Sequence, residues 1–328
     1  MRTTILFILI LGSVLYSQAL NIPAKHYGLS IGNSKTFTGL RINFSDKDLQ
    51  QINGVNITFW KARTNDTGQI NGLALGLVGP EAREINGVGL GLGVGAGERL
   101  RGLSVGVLGV GAGDDVLGIN LAGLGVGGGG NVKGFNLAGL GIGAGGDVRG
   151  INLAGLGVGS GQDVGGLSFA LFGVAAGDNL CGISIAGLGT GAGENIRGIA
   201  IGGIGVGAGE DIRGIALGGI GAGAGETIKG FAFGGAGVGA GKEIKGGALA
   251  LAMIKTPKFN GVGAASYMRI DHFKGVCLGG VTNYHTAKGL SIALVNIARE
   301  LNGVQLGLIN YAGNNRLIKI LPFVNANL

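Results

Sequence analysis

Apolar and polar positions repeat every 16 residues through the middle of the chain. A series of glycines, called marker glycines below, fixes the register: Gly118, Gly134, Gly150, Gly166, Gly182, Gly198, Gly214, Gly230 and Gly246. A fixed period sustained over this many copies is typical of a tandem repeat array, in which each unit packs on its neighbours. Related units extend the array at both ends, and their glycines at the equivalent position are also called markers. These lie 15–18 residues apart from Gly39 to Gly118 and 14 residues apart from Gly261 to Gly303.

Each repeat predicts two short β-segments joined by a bend. After Gly150, the apolar residues Ile151 and Leu153 flank Asn152, and this alternation is typical of a strand with one buried face. Beyond the next small residues the apolar phase shifts to Leu156 and Val158, so a bend there would turn both pairs inward. A further apolar column adds a fifth inward residue, represented by Val116, Val132, Val148 and Ile212. We therefore expect the Ile and Leu columns inside, and the columns of Asn, Ala and Gly on a flat outer face.

These features predict an all-β protein whose tandem 14–18-residue repeats form a β-solenoid, with the coils stacked in register. The alternative is an antiparallel outer-membrane β-barrel with one strand per repeat, because an apolar stretch of about 10–12 residues suits a tilted membrane strand. An unbent strand would place Ile151 and Leu156 on opposite faces, and one of them would line a lumen that such barrels keep polar. Successive linkers are also alike in length. Both observations favour the solenoid.

The ends of the chain differ from the repeats. Met1 and Arg2 lead into the apolar run Ile5–Leu15 and then Ser17-Gln18-Ala19, a pattern typical of a secretory signal peptide cleaved near Ala19. The predicted organisation is a signal peptide over 1–19, N-terminal cap strands over 20–51, a repeat array over 52–310 and a C-terminal cap over 311–328. The most regular part of the array is 118–245. The signal predicts export to the cell surface or outer membrane, or secretion.

The C-terminal repeats resemble a known type of sequence. The run Gly303-Val304-Gln305-Leu306-Gly307-Leu308-Ile309-Asn310, and the ending Leu321-Pro322-Phe323-Val324-Asn325, are similar to the uncharacterised bacterial surface-repeat proteins with GVQLGLIN-type units. The resemblance covers most of the chain as a style of repeat. It implies an exported protein of the bacterial cell envelope, and it transfers no catalytic or binding residues.

Composition narrows the function classes. Gly accounts for 76 of the 328 residues, but without the period of three and the proline content of collagen. The net charge of +7 is spread along the array rather than concentrated, so we expect no nucleic-acid partner. Cys181 and Cys277 fall in different columns seven repeats apart, about 34 Å in a stack with a 4.8 Å spacing, so we expect two free thiols.

No residue pattern predicts a catalytic, cofactor or metal site. The G-x-G-x-x-G match at Gly125, Gly127 and Gly130 lacks the strand-to-helix context of a nucleotide site. His272 and His285 lie in adjacent units and could approach each other, whereas His26 stands apart. Two charge columns are expected on a solvated edge: Asp147, Asp163, Asp211 and Glu243 in one, and Arg149, Arg213 and Lys245 in the other.

The sequence thus predicts a non-enzymatic exported scaffold, with a channel-type or structural barrel protein as the alternative. The partners left open are cell-envelope components, polysaccharide, a second copy of the chain and a membrane.

Overall fold

The computed structural model describes residues 19–64, 67–316 and 318–327. The predicted signal peptide therefore lies outside the described residues, apart from Ala19. The described chain is all-β, and it divides into two compact units, an N-terminal unit ending at Ser160 and a C-terminal unit beginning at Gly161. No helix in the described ranges is long and apolar enough to cross a membrane.

The described residues of the N-terminal unit form twelve strands. Their bounds are β1 Ala19–Ala24, β2 Tyr27–Gly32, β3 Thr36–Lys47, β4 Gln51–Thr64, β5 Gln69–Gly76, β6 Glu81–Ala112, β7 Asp115–Ala122, β8 Gly125–Gly128, β9 Val132–Ala138, β10 Gly141–Ala144, β11 Val148–Ala154 and β12 Gly157–Ser160. β1 and β2 form an antiparallel hairpin, and from β2 onward each coil pairs in parallel with the next.

The C-terminal unit continues the same scheme. Its strands are β13 Val164–Ala170, β14 Gly173–Ala176, β15 Leu180–Ala186, β16 Gly189–Ala192, β17 Ile196–Gly202, β18 Gly205–Ala208, β19 Ile212–Gly218, β20 Gly221–Ala224, β21 Thr227–Gly234, β22 Gly237–Ala240, β23 Glu243–Ala250, β24 Met253–Ala312 and β25 Ile320–Asn327. The extended run β24 contains the four markers spaced by 14 residues, and β25 returns antiparallel along its last coil.

A 16-residue coil consists of one long and one short strand, and each strand type pairs with its own kind in the next coil. β9 pairs in parallel with β11 so that Val132 lies beside Val148 and Asn136 beside Asn152. β8 and β10 pair in the same way. The fold is a β-solenoid, as predicted. The antiparallel barrel alternative is wrong, because neighbouring coils pair in parallel and equivalent positions of successive repeats lie side by side.

The marker glycines are required by the backbone. Every marker from Gly39 to Gly303 has a positive φ, between 97° and 159°, a region that side chains other than that of glycine rarely enter. A Cβ atom on Gly150 would also lie 2.0 Å from the carbonyl oxygen of Gly134, the marker of the preceding coil. The 16-residue register is therefore a ladder of tightly apposed glycines. Gly28 begins this ladder, one coil before the first marker predicted from the sequence.

The prediction of which columns face inward is wrong for the long strand. Ile151 is 43% exposed and Leu156 is 44% exposed, whereas Asn152 is fully buried. Leu153 also lies on the outer side of β11. Only the columns of Val148 and Val158 face inward as expected. The predicted flat outer face of Asn and Ala on this strand is consequently the inside of the coil.

The inversion follows from the thinness of the coil. In the inward columns of the long strand, a Cβ on Gly89 would lie 2.7 Å from Cγ1 of Val94, and a Cβ on Gly106 would lie 2.0 Å from the carbonyl oxygen of Gly109. In the 16-residue coils the two sheets are so close that these columns contain only Gly, Ala, Ser and Asn. Larger Ile, Leu and Phe side chains are accommodated on the outside, where neighbouring coils cover about half of each.

Candidate functional site

The second residue after each marker glycine forms one continuous inward column in each unit, called the inner column here. In the N-terminal unit it contains buried polar side chains: Ser30, Arg41, Asn56, Ser104, Asn120, Asn136 and Asn152. Asn120 donates to Asn136 at 2.8 Å, and Asn136 donates to Asn152 at 2.9 Å. Each of these hydrogen bonds pairs a buried amide with the amide of the next coil, which stabilises polar residues in the core.

At the N-terminal end of this column lies a buried ion pair. Arg41 and Asp46 are both fully buried and contact each other directly. Nη1 of Arg41 also donates to Oδ1 of Asn56 at 2.6 Å, and Nδ2 of Asn56 donates to Asp46 at 2.9 Å. A buried pair with this many partners serves the first coils structurally, because removing one partner would leave an uncompensated charge. The sequence analysis assigned no role to either residue.

A second buried polar cluster in the C-terminal unit includes two residues of the inner column, Cys277 and Ser291. Sγ of Cys277 lies 2.7 Å from the hydroxyl of Tyr284 and 3.1 Å from that of Ser291. Asn296 continues the network, since its Oδ1 accepts from Thr282 at 2.9 Å and its Nδ2 donates to Asn310 at 2.8 Å. Burial raises the pKa of the Cys277 thiol and, more strongly, that of the Tyr284 hydroxyl. The cluster holds neutral, hydrogen-bonded groups rather than an activated nucleophile.

Both cysteines are free thiols, as expected, with Cys277 buried and Cys181 partly exposed. The predicted approach of His272 and His285 is confirmed: their ring centroids are 6.2 Å apart in an edge-to-face arrangement, and both residues are exposed. His26 lies elsewhere, with its Nδ1 3.4 Å from the carbonyl oxygen of Thr36. Within the described ranges, His, Cys, Asp and Glu side chains form no group of three that could hold a metal ion.

The two charge columns predicted from the sequence are present on the outer edge. Ion pairs join residues two apart at the start of the long strands: Asp147 with Arg149 and Asp211 with Arg213, both at 2.9 Å, and Glu243 with Lys245 at 3.0 Å. Burial would raise the pKa of Asp211, but the hydrogen bond and charge of Arg213 outweigh it, so that pKa lies below its usual value. Asp115 also has a lowered pKa, chiefly because Asn131 of the next coil donates to it.

The most unusual surface is the outer side of the long strands. Exposed Ile, Leu and Phe side chains stack there in columns: in the N-terminal unit Ile119, Leu124, Leu137, Leu140, Ile151 and Leu156, and in the C-terminal unit Leu167, Phe169, Phe172, Ile183, Leu188, Ile204, Ile215, Ile220, Phe231 and Leu249. Soluble monomers rarely expose contiguous apolar patches of more than a few hundred Å². We take these columns as the candidate contact surface.

The outer side of the short strands has a different character. Its two outward positions in each coil are mostly glycine, as in Gly205 and Gly207 of β18. A Cβ on Gly207 would have no heavy atom within 4 Å, and one on Gly223 would make only an ordinary contact at 3.6 Å. Space and backbone geometry therefore do not require glycine at these positions. The two sheets of a coil thus present opposite exteriors, one covered by large apolar side chains and one almost bare.

An aromatic pair stands out on the first coils. Phe44 and Trp60 lie on the neighbouring strands β3 and β4, with ring centroids 6.5 Å apart and planes only 3° from parallel. Phe44 is 66% exposed and Trp60 is 57% exposed. The pair forms a small flat aromatic surface that the sequence analysis did not identify.

Comparisons with protein-family models, with curated proteins and with solved structures find no match to this chain.

Proposed function

We propose that this chain is an exported, non-enzymatic scaffold of the bacterial cell envelope that acts through contacts of its exterior. The observation that carries the proposal is the set of exposed apolar columns on a solenoid of parallel coils. A solenoid presents the same side chains at a fixed interval along a rigid sheet, and such surfaces serve as extended binding faces in repeat proteins. The signal-like N-terminus and the resemblance to surface-repeat proteins support export.

The placement of the chemically reactive side chains supports a role without catalysis. Cys277 is fully buried, and the side chains that hydrogen-bond its thiol are the hydroxyls of Tyr284 and Ser291, neither of which is a base that activates a thiol. His272 and His285 are exposed on the surface of the last coils, whereas the thiol cluster lies in the core. The alternative function, a channel or porin-like role, required an antiparallel barrel, and the parallel pairing of the coils rules that barrel out.

Export can be tested by producing the full chain in a bacterium and treating intact cells with protease. The proposal expects the protein to be degraded on intact cells and the N-terminal run to be absent from the mature protein by mass spectrometry. The control is Leu9→Arg, which interrupts the apolar run and should leave the protein inside the cell and protected. A wild-type protein that stays protected in intact cells, with its N-terminus retained, would refute the proposal.

Polysaccharide is a second candidate contact, favoured by the Phe44–Trp60 pair. Parallel, exposed aromatic rings offer a flat apolar surface on which the C–H faces of sugar rings can pack. Because Trp60 is the single tryptophan of the chain, its fluorescence reports directly on this surface. We expect chitohexaose, a wall-type sugar chain, to shift the emission of Trp60, and Phe44→Ala to abolish the shift. An unchanged spectrum at millimolar sugar would remove this candidate.

A further inference from the structure

The outer side of the long strands in the C-terminal unit, together with the turns that follow them, carries columns of large apolar side chains and is called the apolar face here. It is formed by six strands, β13, β15, β17, β19, β21 and β23, and by the turns that follow them. Two outward columns and one turn column contribute: Leu167, Ile183, Ile199, Ile215 and Phe231; Phe169, Ile185, Ile201, Leu217, Phe233 and Leu249; and Phe172, Leu188, Ile204 and Ile220. No charged residue interrupts these columns, and a column of exposed basic side chains on the same strands flanks them: Arg197, Arg213, Lys229 and Lys245.

The apolar face is large enough for a stable protein interface. Ten of its side chains are between 37% and 57% exposed. Each of these leaves on the order of 80 Å² in contact with solvent, judged against the full area of such side chains. With the less exposed members, the face amounts to roughly 1,000 Å², compared with the ~800 Å² that each partner buries in a standard interface. A monomer in water would carry an apolar patch well above the usual limit.

The charges around the face argue against an anionic lipid surface as its cover. Between residues 161 and 250 the chain has seven carboxylates and five basic side chains: Asp163, Asp178, Glu194, Glu210, Asp211, Glu226 and Glu243, against Arg197, Arg213, Lys229, Lys242 and Lys245. Three of the basic residues are paired with carboxylates, namely Arg213, Lys242 and Lys245. Attachment to anionic lipid relies on a surplus of basic charge, and over these coils as a whole the carboxylates outnumber the basic side chains.

We propose that a second copy of this chain covers the apolar face, so that the two C-terminal units pack sheet against sheet. This inference deepens the proposed contact role and rests on it. The face suits a copy of itself because both copies have the same spacing between coils, so rows of Ile, Leu and Phe can pack between rows along the whole sheet. A two-fold contact needs only one self-complementary surface, and this face supplies it.

The test is sedimentation equilibrium of the full chain, purified as the cell processes it, over nanomolar to micromolar concentrations. We expect twice the mass of one chain at micromolar concentration. Ile183→Lys combined with Ile215→Lys should weaken the dimer by at least about 100-fold, because it places two charges within the apolar face. The matched control is Gly191→Lys with Gly223→Lys, which adds the same charges to the short strands of the same two coils and should leave the dimer intact. Far-UV circular dichroism checks that both variants remain folded.

Three outcomes would overturn the proposal. In the first, the wild type sediments as one chain at micromolar concentration. In the second, the control substitutions Gly191→Lys and Gly223→Lys weaken the dimer as strongly as the face substitutions do. In the third, a monomeric wild type binds vesicles of phosphatidylethanolamine and phosphatidylglycerol, and Ile183→Lys with Ile215→Lys abolishes binding, so that lipid covers the face. Each of these leaves the export result unaffected. Conversely, if sedimentation shows a dimer but the protease experiment shows that the chain stays inside the cell, the proposed function is refuted and the dimer proposal is supported.

Discussion

At the scale of single residues, the chain uses glycine for two different reasons. Marker glycines such as Gly214 adopt a positive φ and lie against the carbonyl of the preceding marker, so the fold requires them. Glycines on the outer side of the short strands, such as Gly207, meet neither constraint. A count of glycines cannot separate the two classes, but the unbroken register of the markers from Gly39 to Gly303 identifies the first class from the sequence.

This distinction predicts opposite effects for two substitutions seven residues apart. Gly214→Ala forces a Cβ to within 2.1 Å of the carbonyl oxygen of Gly198 at φ 132°, so it should lower the free energy of unfolding by about 3 kcal/mol or more. Gly207→Ala should be neutral or stabilise by about 0.5 kcal/mol, because it reduces the entropy of the unfolded chain. Urea denaturation followed by circular dichroism measures both. Equal losses would contradict the assignment.

The two cysteines should differ in reactivity. In the folded protein a maleimide reagent at pH 7 should label Cys181, which is partly exposed, and leave Cys277 unlabelled, since it is fully buried. In denaturant both should react. Mass spectrometry of the labelled peptides distinguishes the sites, and rapid labelling of Cys277 in the native state would show that the polar cluster opens to solvent.

Stability should also depend on pH through Cys277. Its folded-state pKa is raised by burial, so the neutral thiol is favoured by folding and its contribution is complete below the unfolded pKa of about 8.5. That contribution is lost progressively as pH rises above this value, because the unfolded chain then ionises first. Between pH 7 and 9.5 we expect the denaturation midpoint to fall more steeply for the wild type than for Cys277→Ala. Parallel pH profiles for the two proteins would contradict this assignment.

At the scale of elements, the long strand explains which part of the fold could be predicted. Alternation of Ile151, Asn152 and Leu153 correctly indicates a strand with two unlike faces, and the shift to Val158 correctly indicates a bend. Polarity alone assigned the wrong face to the core. A stronger signal was side-chain volume: the inner column from Asn120 to Ala248 contains nothing larger than Asn, whereas the column of Ile151 varies from Gly to Phe. Only tightly confined positions restrict size in this way.

The buried polar residues were missed for a related reason. Arg41, Asn136 and Cys277 all occupy the inner column, where hydrogen bonds along the stack satisfy groups that a sequence pattern assigns to solvent. Stacking distance, rather than residue type, decides whether such a group is satisfied. The exposed Phe44–Trp60 pair was missed because it lies outside the regular 16-residue repeats.

The amide ladder makes a prediction at this scale. Asn136→Ala removes the acceptor for Asn120 and the donor to Asn152, so it should cost about 1–3 kcal/mol of unfolding free energy. Asn136→Ser should cost less, because serine occupies the same column at Ser168 and Ser184 in other coils and retains a hydroxyl. Thermal unfolding ranks the three proteins, and an alanine variant as stable as the wild type would show that the ladder contributes nothing.

At the scale of the whole molecule, stacking in parallel creates a problem at the ends, because the last coil presents unpaired backbone groups. β25 covers one such edge by pairing antiparallel with Gly303–Gly307 and with Asn310 and Tyr311 of β24. Exposed strand edges recruit other chains, so covering them keeps a solenoid from growing by end-to-end addition. Among the described residues of the C-terminal unit, the pairing of β24 with β25 is the only antiparallel strand pairing.

Removing this strand should therefore cause association. A chain ending at residue 316 should aggregate in light scattering under conditions where the full chain stays dispersed. The control is Phe323→Ser, which removes the exposed aromatic side chain of β25 and keeps the backbone pairing of this strand. This variant should remain dispersed. If the truncated chain stays dispersed, the edge needs no cover.

The central claim is that the apolar columns of the long strand face outward while a narrower set forms the core. Two isoleucines of β19 test it most directly, because Ile212 is fully buried and Ile215, three residues later, is 39% exposed. We predict that Ile212→Asp unfolds the protein or costs at least about 4 kcal/mol, since it buries an unpaired carboxylate. Ile215→Asp should keep the circular dichroism spectrum of the wild type. Equal destabilisation by the two substitutions, or a greater loss for Ile215→Asp, would contradict this account of the coil.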